Sequence, residues 1–200
     1  MDAPTLRGVT VLVTGATGFI GSHLVERLLS EGAIVRCLLR PTSPRGGASR
    51  HLPAHGANPV LGDLSTGAGL NEALDGATVV FHLAGVTKAL RASDYHVGNV
   101  KTTENLLNAM SGGSATLIHM SSLAAIGPGP DSIPLVEDAE ARPLTLYGKS
   151  KLEGEQAVRR SPVSRRAIII RPPVVYGPRD VDVYQVFKAA AGGALVRIGR

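Results

Sequence analysis

The chain has 200 residues, 44% of them apolar, with a mean hydropathy of +0.13, a formal net charge of +5 and a pI near 9.7. That is length enough for one sizeable core, and no run approaches the ~18 continuous apolar residues of a membrane helix, so no transmembrane span is expected. Three Phe, four Tyr and no Trp, without an arginine run interleaved by aromatics, argue against a nucleic-acid surface; the positive charge is read as a soluble surface, or locally as a place for a phosphorylated small ligand.

Met1-Asp2-Ala3-Pro4 carries neither the basic nor the apolar region of a secretory signal, and a cytoplasmic location is expected. Val9–Thr14 reads as a buried strand and Gly18–Ser30 as a helix. Between and across them runs Thr14-Gly15-Ala16-Thr17-Gly18-Phe19-Ile20-Gly21. Strand, glycine turn, helix is the setting in which a glycine triplet has meaning. Gly15 permits the tight turn, Gly18 lets backbone approach a pyrophosphate, and Gly21 lets the helix pack on the strand. Free N–H groups at the helix start then face phosphates. The spacing is G-x-x-G-x-x-G rather than G-x-G-x-x-G, so the motif takes its weight from the residues downstream of it.

Ile34–Leu39 reads as the second strand, with Cys37 as a small buried hydrophobe. One cysteine excludes an internal disulfide and a cysteine metal cluster. A loop rich in Pro, Ser, Gly and Arg runs from Arg40 to Arg50. Pro59–Gly62 is a short strand, Leu70–Leu74 a short helix and Thr78–Leu83 the fourth strand, on which His82 reads as a packed core histidine. Ser93–Met110 is a long helix and Ala115–Met120 the fifth strand. Ser121–Pro143 is proline-rich loop, with Glu137, Asp138 and Glu140 as solvated acids. Leu146–Arg159 is helical, Ala167–Arg171 is the sixth strand, Val183–Ala191 is a helix, and Ala194–Gly199 looks like the start of something more. Apolar strands alternating with helices predict an α/β protein: a doubly wound parallel sheet covered on both faces.

Chemistry concentrates in Tyr147-Gly148-Lys149-Ser150-Lys151. Tyr147 and Lys151 lie one helical turn apart on the same face. A free phenol, with a pKa near 10, exchanges protons poorly at neutral pH, and a neighbouring ammonium favours phenolate and lowers that pKa. Met120-Ser121-Ser122 ends the fifth strand, where side chains face the ligand crevice of a parallel sheet. Ser122 could there hold a substrate oxygen, or cap the next turn. Asn99 is a poor helix-interior residue, which leaves a surface position or a water-binding role. His23 is read as facing outward on the first helix or capping it. The six histidines show no metal-ligand spacing, so no metal is expected.

These residues together resemble the short-chain dehydrogenase/reductase superfamily, and more closely its extended branch, the NAD-dependent epimerase/dehydratase family. Thr14–Gly21 is similar to that family's phosphate loop, which implies cofactor contacts from Gly15, Thr17, Gly18, Phe19, Ile20 and Gly21. Gly62-Asp63-Leu64 resembles its adenine-contacting segment, and Phe81-His82-Leu83-Ala84-Gly85 the strand beneath the cofactor. Asn99-Val100-Lys101-Thr102-Thr103-Glu104-Asn105-Leu106-Leu107 is similar to its "NVxGTxNLL" helix, departing at Lys101 and Glu104. Arg171 to Arg179, "RPPVVYGPR", resembles the segment bordering the nicotinamide, which brings in Pro172 and Val174. Ser122, Tyr147 and Lys151 fall on the catalytic serine, tyrosine and lysine, and Asn99 is grouped with them.

The resemblance implies a Rossmann fold over residues 1–178, with residues 179–200 opening a substrate-binding region that is expected to be truncated. It implies a nicotinamide-dependent enzyme acting on a secondary alcohol or ketone, Tyr147 exchanging the proton, Lys151 binding the nicotinamide ribose and Ser122 orienting the substrate. A nucleotide-sugar epimerase with tightly bound NAD, or a dinucleotide-binding sensor without turnover, are the alternatives. Dehydration is disfavoured because Leu123-Ala124-Ala125 stands where dehydratases carry a carboxylate pair. At the end of the second strand an acid normally holds the ribose hydroxyls, but here Leu39 takes that place and Arg40 follows. That favours NADP over NAD, although Arg40 stacking on adenine would suit either. Ser43 and Arg45 lie nearby. Thr87 adjoins the expected cofactor edge. A small-molecule substrate, no nucleic acid and a homodimer through the helices Ser93–Met110 and Leu146–Arg159 complete the expectation.

Overall fold

Six parallel strands make one sheet: β1 (Thr10–Thr14), β2 (Ile34–Leu39), β3 (Ala57–Leu61), β4 (Val79–His82), β5 (Thr116–Met120) and β6 (Ala167–Ile170), in the order β3-β2-β1-β4-β5-β6. The computed structural model describes residues 6–41, 56–129 and 134–193. The helices are α1 (Phe19–Ser30), α2 (Leu70–Leu74), α3 (Ala92–Tyr95), α4 (Thr102–Met110), α5 (Leu146–Arg160) and α6 (Val183–Ala191). A π-helical turn, His96–Lys101, joins α3 to α4, and 3-10 turns cover Leu123–Ala125 and Pro162–Arg166. The strands expected from apolar runs are present with ends moved by a residue or two. Most of the loop 40–50, with Ser43 and Arg45, and the segment 194–199 lie outside the described residues.

Alternation within β1 divides the core in two. Leu12 faces a cluster with Val80, Leu106, Leu107, Leu117 and Val158, under α2, α4 and α5. Val11 and Val13 face the opposite side with Val25, Leu28, Val35 and Cys37, under α1. β1 lies in the middle, paired with β2 on one side and β4 on the other. The chain builds outward through β2 and β3, then returns and builds outward through β4, β5 and β6. The crevice at the carboxyl ends of β1 and β4 is therefore the topological switch point. Coverage is incomplete at the β6 edge. Ile168 is 54% and Ile170 41% exposed, and α6 buries none of its residues.

The glycine turn is fixed by close approach. Gly15 has φ +71°, and a Cβ there would lie 2.6 Å from the Ala84 nitrogen. A Cβ on Gly21 would lie 2.1 Å from the Gly15 carbonyl oxygen. Backbone on both sides leaves nothing able to yield, so α1 can start against β1 only with these two glycines. Gly21→Ala is expected to lower the free energy of unfolding by about 2–4 kcal/mol, whereas Gly112→Ala, with nothing within 4 Å, is expected to be near neutral. Urea unfolding of both variants checks this; equal stabilities would contradict it.

Candidate active site

A cleft of about 200 Å³ opens at the switch point. Ile20, Leu83, Gly85, Asn99, Ser122, Tyr147, Lys151 and Pro172, all singled out from sequence, line it, together with Val86, Thr87, Met120, Ser121, Pro173 and Val175. Val174 does not: it is 75% exposed, and Pro172, Pro173 and Val175 around it reach the cleft instead. Phe19 turns to a shallow apolar depression with His23, Tyr176 and Pro178. His23 does not cap α1; it is half-buried on the outer side of the helix, its Nε2 meeting the Pro178 carbonyl at 2.8 Å.

Thr145 caps α5, its hydroxyl accepting the Gly148 N–H at 3.0 Å. That cap starts the helix so that Tyr147 and Lys151 face the cleft one turn apart. Ser122 lies two residues past β5 and caps the 3-10 turn, its hydroxyl accepting the Ala124 N–H at 3.1 Å. It therefore caps a turn and lines the cleft at once, and its own proton points to the Tyr147 oxygen. Burial raises the Tyr147 hydroxyl above its ordinary value; a hydrogen bond from Ser122 acts in the opposite direction, and the neighbouring Tyr95 adds to the rise. The expected lowering of Tyr147 by Lys151 is not what governs the site. The Lys151 ammonium is itself buried, which brings it down to about 8, with Glu155 pulling the other way. It donates to the Met120 carbonyl at 2.6 Å.

Asn99 is neither on the surface nor open to solvent. It is 2% exposed, on the π-helical turn. Its Oδ1 accepts the Val86 N–H at 2.7 Å; its Nδ2 donates to the Val86 carbonyl and to Ser150 Oγ, both at 2.9 Å. Ser150 in turn donates to the Tyr147 carbonyl at 2.7 Å. Asn99 thus ties the cleft wall after β4 to the first turn of α5.

A second buried network was not evident from sequence. Glu155, fully buried, receives Arg171 Nε at 2.8 Å, Arg171 Nη2 at 2.6 Å and Ser121 Oγ at 2.5 Å. The signal available was the continuation of the helical stripe, since Glu155 follows Lys151 by four residues as Lys151 follows Tyr147. Beneath the site, His82 bonds Thr14 Oγ1 at 2.8 Å and Thr103 Oγ1 at 3.0 Å, as a packed core histidine. Burial, then the Lys151 charge, brings it to about 3. His119 lies beside it, ring centroids 5.5 Å apart, and burial likewise holds it well below its ordinary value.

The remaining predicted residues form the far end of the site. Arg40 is exposed after β2. Asp63 follows β3; its Oδ1 accepts the Ser65 N–H at 2.8 Å and Oγ–H at 2.7 Å, and these bonds, with the Arg40 charge as a smaller contribution, hold it below the usual carboxylate range against the effect of burial. The Leu64 side chain belongs to the core, and only its carbonyl engages a polar partner, Asn105 Nδ2 at 2.7 Å. The Ala84 N–H donates to Thr14 Oγ1 at 3.2 Å. Thr17 and Gly18 form the turn itself. Among the described residues no three His, Cys, Asp or Glu gather as a metal site.

A glycine turn at the switch point of a parallel sheet defines a dinucleotide-binding Rossmann domain. The chain belongs to the NAD-dependent epimerase/dehydratase family, whose model matches residues 11–195. It is 37% identical over 191 residues to a ceramide reductase of Caulobacter vibrioides, covering 94% of this chain and 53% of the relative. It is 32% identical over 200 residues to the N-acetyl-alpha-D-glucosaminyl-diphospho-ditrans,octacis-undecaprenol 4-epimerase of Escherichia coli O157:H7, covering 94% and 56%. UDP-glucuronic acid 4-epimerase from Bacillus cereus in complex with NAD matches with a TM-score of 0.77 at 28% identity, covering 93% of this chain and 65% of that one. The Bordetella bronchiseptica enzyme WbmG in complex with NAD and UDP gives 0.79 at 26%, covering 94% and 61%. The chain spans about half the length of the curated relatives it matches. No helix among the described residues is long and apolar enough to cross a membrane.

Lys151 supplies a pH test. Its folded pKa, about 8, lies below the ~10.4 of an unfolded lysine. Below pH 8 the buried ammonium weighs against the fold, and that penalty fades as pH rises from 8 towards 10.4. Carbon-13 NMR of ε-labelled lysine is expected to show one resonance titrating near 8, absent in Lys151→Met, and the wild type should gain stability relative to that variant between pH 7.5 and 10. A Lys151 midpoint near 10.4 would contradict the burial account.

Proposed function

We propose that this chain is the cofactor-binding and catalytic part of a nicotinamide-dependent oxidoreductase that interconverts a secondary alcohol and a ketone. The observation that carries the reading is the convergence of Ser122, Tyr147 and Lys151 on one cleft beside the glycine turn. The residues present fit a dinucleotide. The turn has no Cβ where a pyrophosphate would approach, the first N–H groups of α1 have no side-chain cap, and Gly85 keeps the cleft floor open, since a Cβ there would lie 2.8 Å from Asn99 Oδ1. When bound, the nicotinamide supplies or accepts the hydride.

The protein's own groups handle the proton and the oxygen. Tyr147 gives its phenolic proton to the carbonyl oxygen in reduction and recovers it in oxidation. Ser122, whose oxygen is engaged by Ala124, donates its proton to the same substrate oxygen and so orients it. Lys151 uses one N–H on Met120; its other two can serve a ribose hydroxyl and steady charge at Tyr147. Gly15, Thr17, Gly18, the Phe19 backbone, Ile20, Gly21, Leu83, Ala84, Gly85 and Pro172 border the cofactor in this reading, Asp63 and the Leu64 backbone its adenine. Asn99 holds the wall in place rather than touching the reacting atoms. The 3-10 turn Leu123–Ala125 carries no carboxylate, so dehydration stays disfavoured. The second reading, an epimerase with tightly held NAD, is supported by the relatives and solved structures named as 4-epimerases. We read the protein as a cytoplasmic homodimer.

NADP(H) is the cofactor we favour. No acid stands at the end of β2, Leu39 takes its place, and Arg40 is exposed next to it, which suits a 2′-phosphate. Fluorescence titration should give a tighter Kd for NADPH than for NADH, and Arg40→Asp should shift the ratio towards NADH by about tenfold. A tenfold or greater preference of the wild type for NADH would refute this.

Tyr147→Phe is expected to lower kcat by about 10²–10⁴-fold on a panel of secondary alcohols, ketones and UDP-glucose, as loss of a positioned proton donor does, with the dinucleotide Kd within about threefold of wild type. Turnover near wild type on the compound that the protein converts fastest would sink the assignment.

A further inference from the structure

The segment after β4, residues 83–91, has no regular backbone pairing, yet Val86 and Thr87 line the cleft. Side chains from the following helix hold it. Asn99 takes both backbone groups of Val86. Tyr95 Oη accepts the Ala89 N–H at 3.0 Å and donates to the Thr87 carbonyl at 3.4 Å. Tyr95 stands immediately before the π-helical turn that carries Asn99. Residues four apart share one face of a helix, so both side chains reach the same loop. Tyr95 is 9% exposed, and its ring lies against that of Tyr147, centroids 6.2 Å apart at 54°, a tilted contact of the favourable kind. A phenol that donates once and accepts once on backbone has little left for a ligand. Phenylalanine would fill the same space, so the hydroxyl is there for the loop.

We propose that Tyr95 is a positioning residue with two separable duties: its ring sets the orientation of Tyr147, and its hydroxyl fixes the Thr87 wall against which the substrate rests. The proposal rests on the reading of Tyr147 as proton donor. Tyr95→Phe keeps the ring and loosens the wall. Tyr95→Leu loses both contacts.

Two measurements test it. The first uses 3-fluorotyrosine labelling of the protein, which has four tyrosines, Tyr95, Tyr147, Tyr176 and Tyr184, with the Tyr147 fluorine resonance assigned from Tyr147→Phe. Tyr95→Leu should move that resonance and Tyr95→Phe should leave it nearly in place. The second is steady-state kinetics with the panel compound that the wild type converts fastest. Tyr95→Phe should raise KM about fivefold with kcat within twofold, since it removes only the two neutral hydrogen bonds that hold the loop. Tyr95→Leu should also lower kcat by about tenfold or more through misplacement of Tyr147. An unmoved Tyr147 resonance in Tyr95→Leu, or wild-type KM in Tyr95→Phe, would overturn the proposal. If Tyr147→Phe keeps full turnover, the functional reading fails, while the fluorine spectra still decide whether Tyr95 places the Tyr147 ring.

Discussion

A buried carboxylate fixes where the reactive helix lies. Glu155 is closed off from solvent, and burial alone would raise its pKa, but two hydrogen bonds from Arg171, one from Ser121 and the charge of Arg171 hold it below the ordinary value. Removing one partner of a buried pair of this kind costs about 3–5 kcal/mol, because the other charge is left unpaired. The three residues belong to α5, to the end of β5 and to the segment following β6. Their meeting sets α5 against the carboxyl ends of two strands. Small residues let it come close: a Cβ on Gly148 would lie 2.2 Å from the Ala124 carbonyl oxygen, and one on Gly154 would lie 3.1 Å from that of Asn99. Lys151 and Tyr147, one and two turns before Glu155 on the same stripe, then have one place to go, the cleft beside the glycine turn.

The same burial sets the electrostatics. Lys151 keeps its ammonium at neutral pH but close to its titration, because the desolvation that lowers it is partly offset by Glu155. His82 and His119 stay neutral beneath it for the same reason, reinforced by its positive charge. Tyr147 stays a phenol, ready to give a proton rather than to take one. Among these groups Lys151 is the cation that faces the cleft, and Tyr147 and Ser122 are the neutral donors beside it.

Strands and the glycine turn were legible in the sequence because their signals are local: apolar runs of strand length, and glycines at positions where backbone meets backbone. The Tyr147–Lys151 spacing was legible for the same reason. What escaped depends on contacts distant in sequence. Asn99 looked like a weak helix residue because its partners, Val86 and Ser150, lie 13 and 51 positions away. The π-helical turn has no signal separate from that of an α-helix in His96–Lys101. Glu155 and Arg171 lie 16 positions apart, and only the fold pairs them. The lowering of Lys151 depends on burial, which spacing does not encode. Leu64 and Val174 came from resemblance alone, and there the side chains turn to the core and to solvent.

The central claim is that this cleft passes hydride between a dinucleotide and a carbon bearing oxygen. The most direct test is incubation of the protein with NADPH carrying deuterium at both C4 positions and a ketone, followed by mass spectrometry of the alcohol formed. The account predicts one deuterium on the carbinol carbon of each product molecule. An alcohol formed without deuterium would contradict that claim.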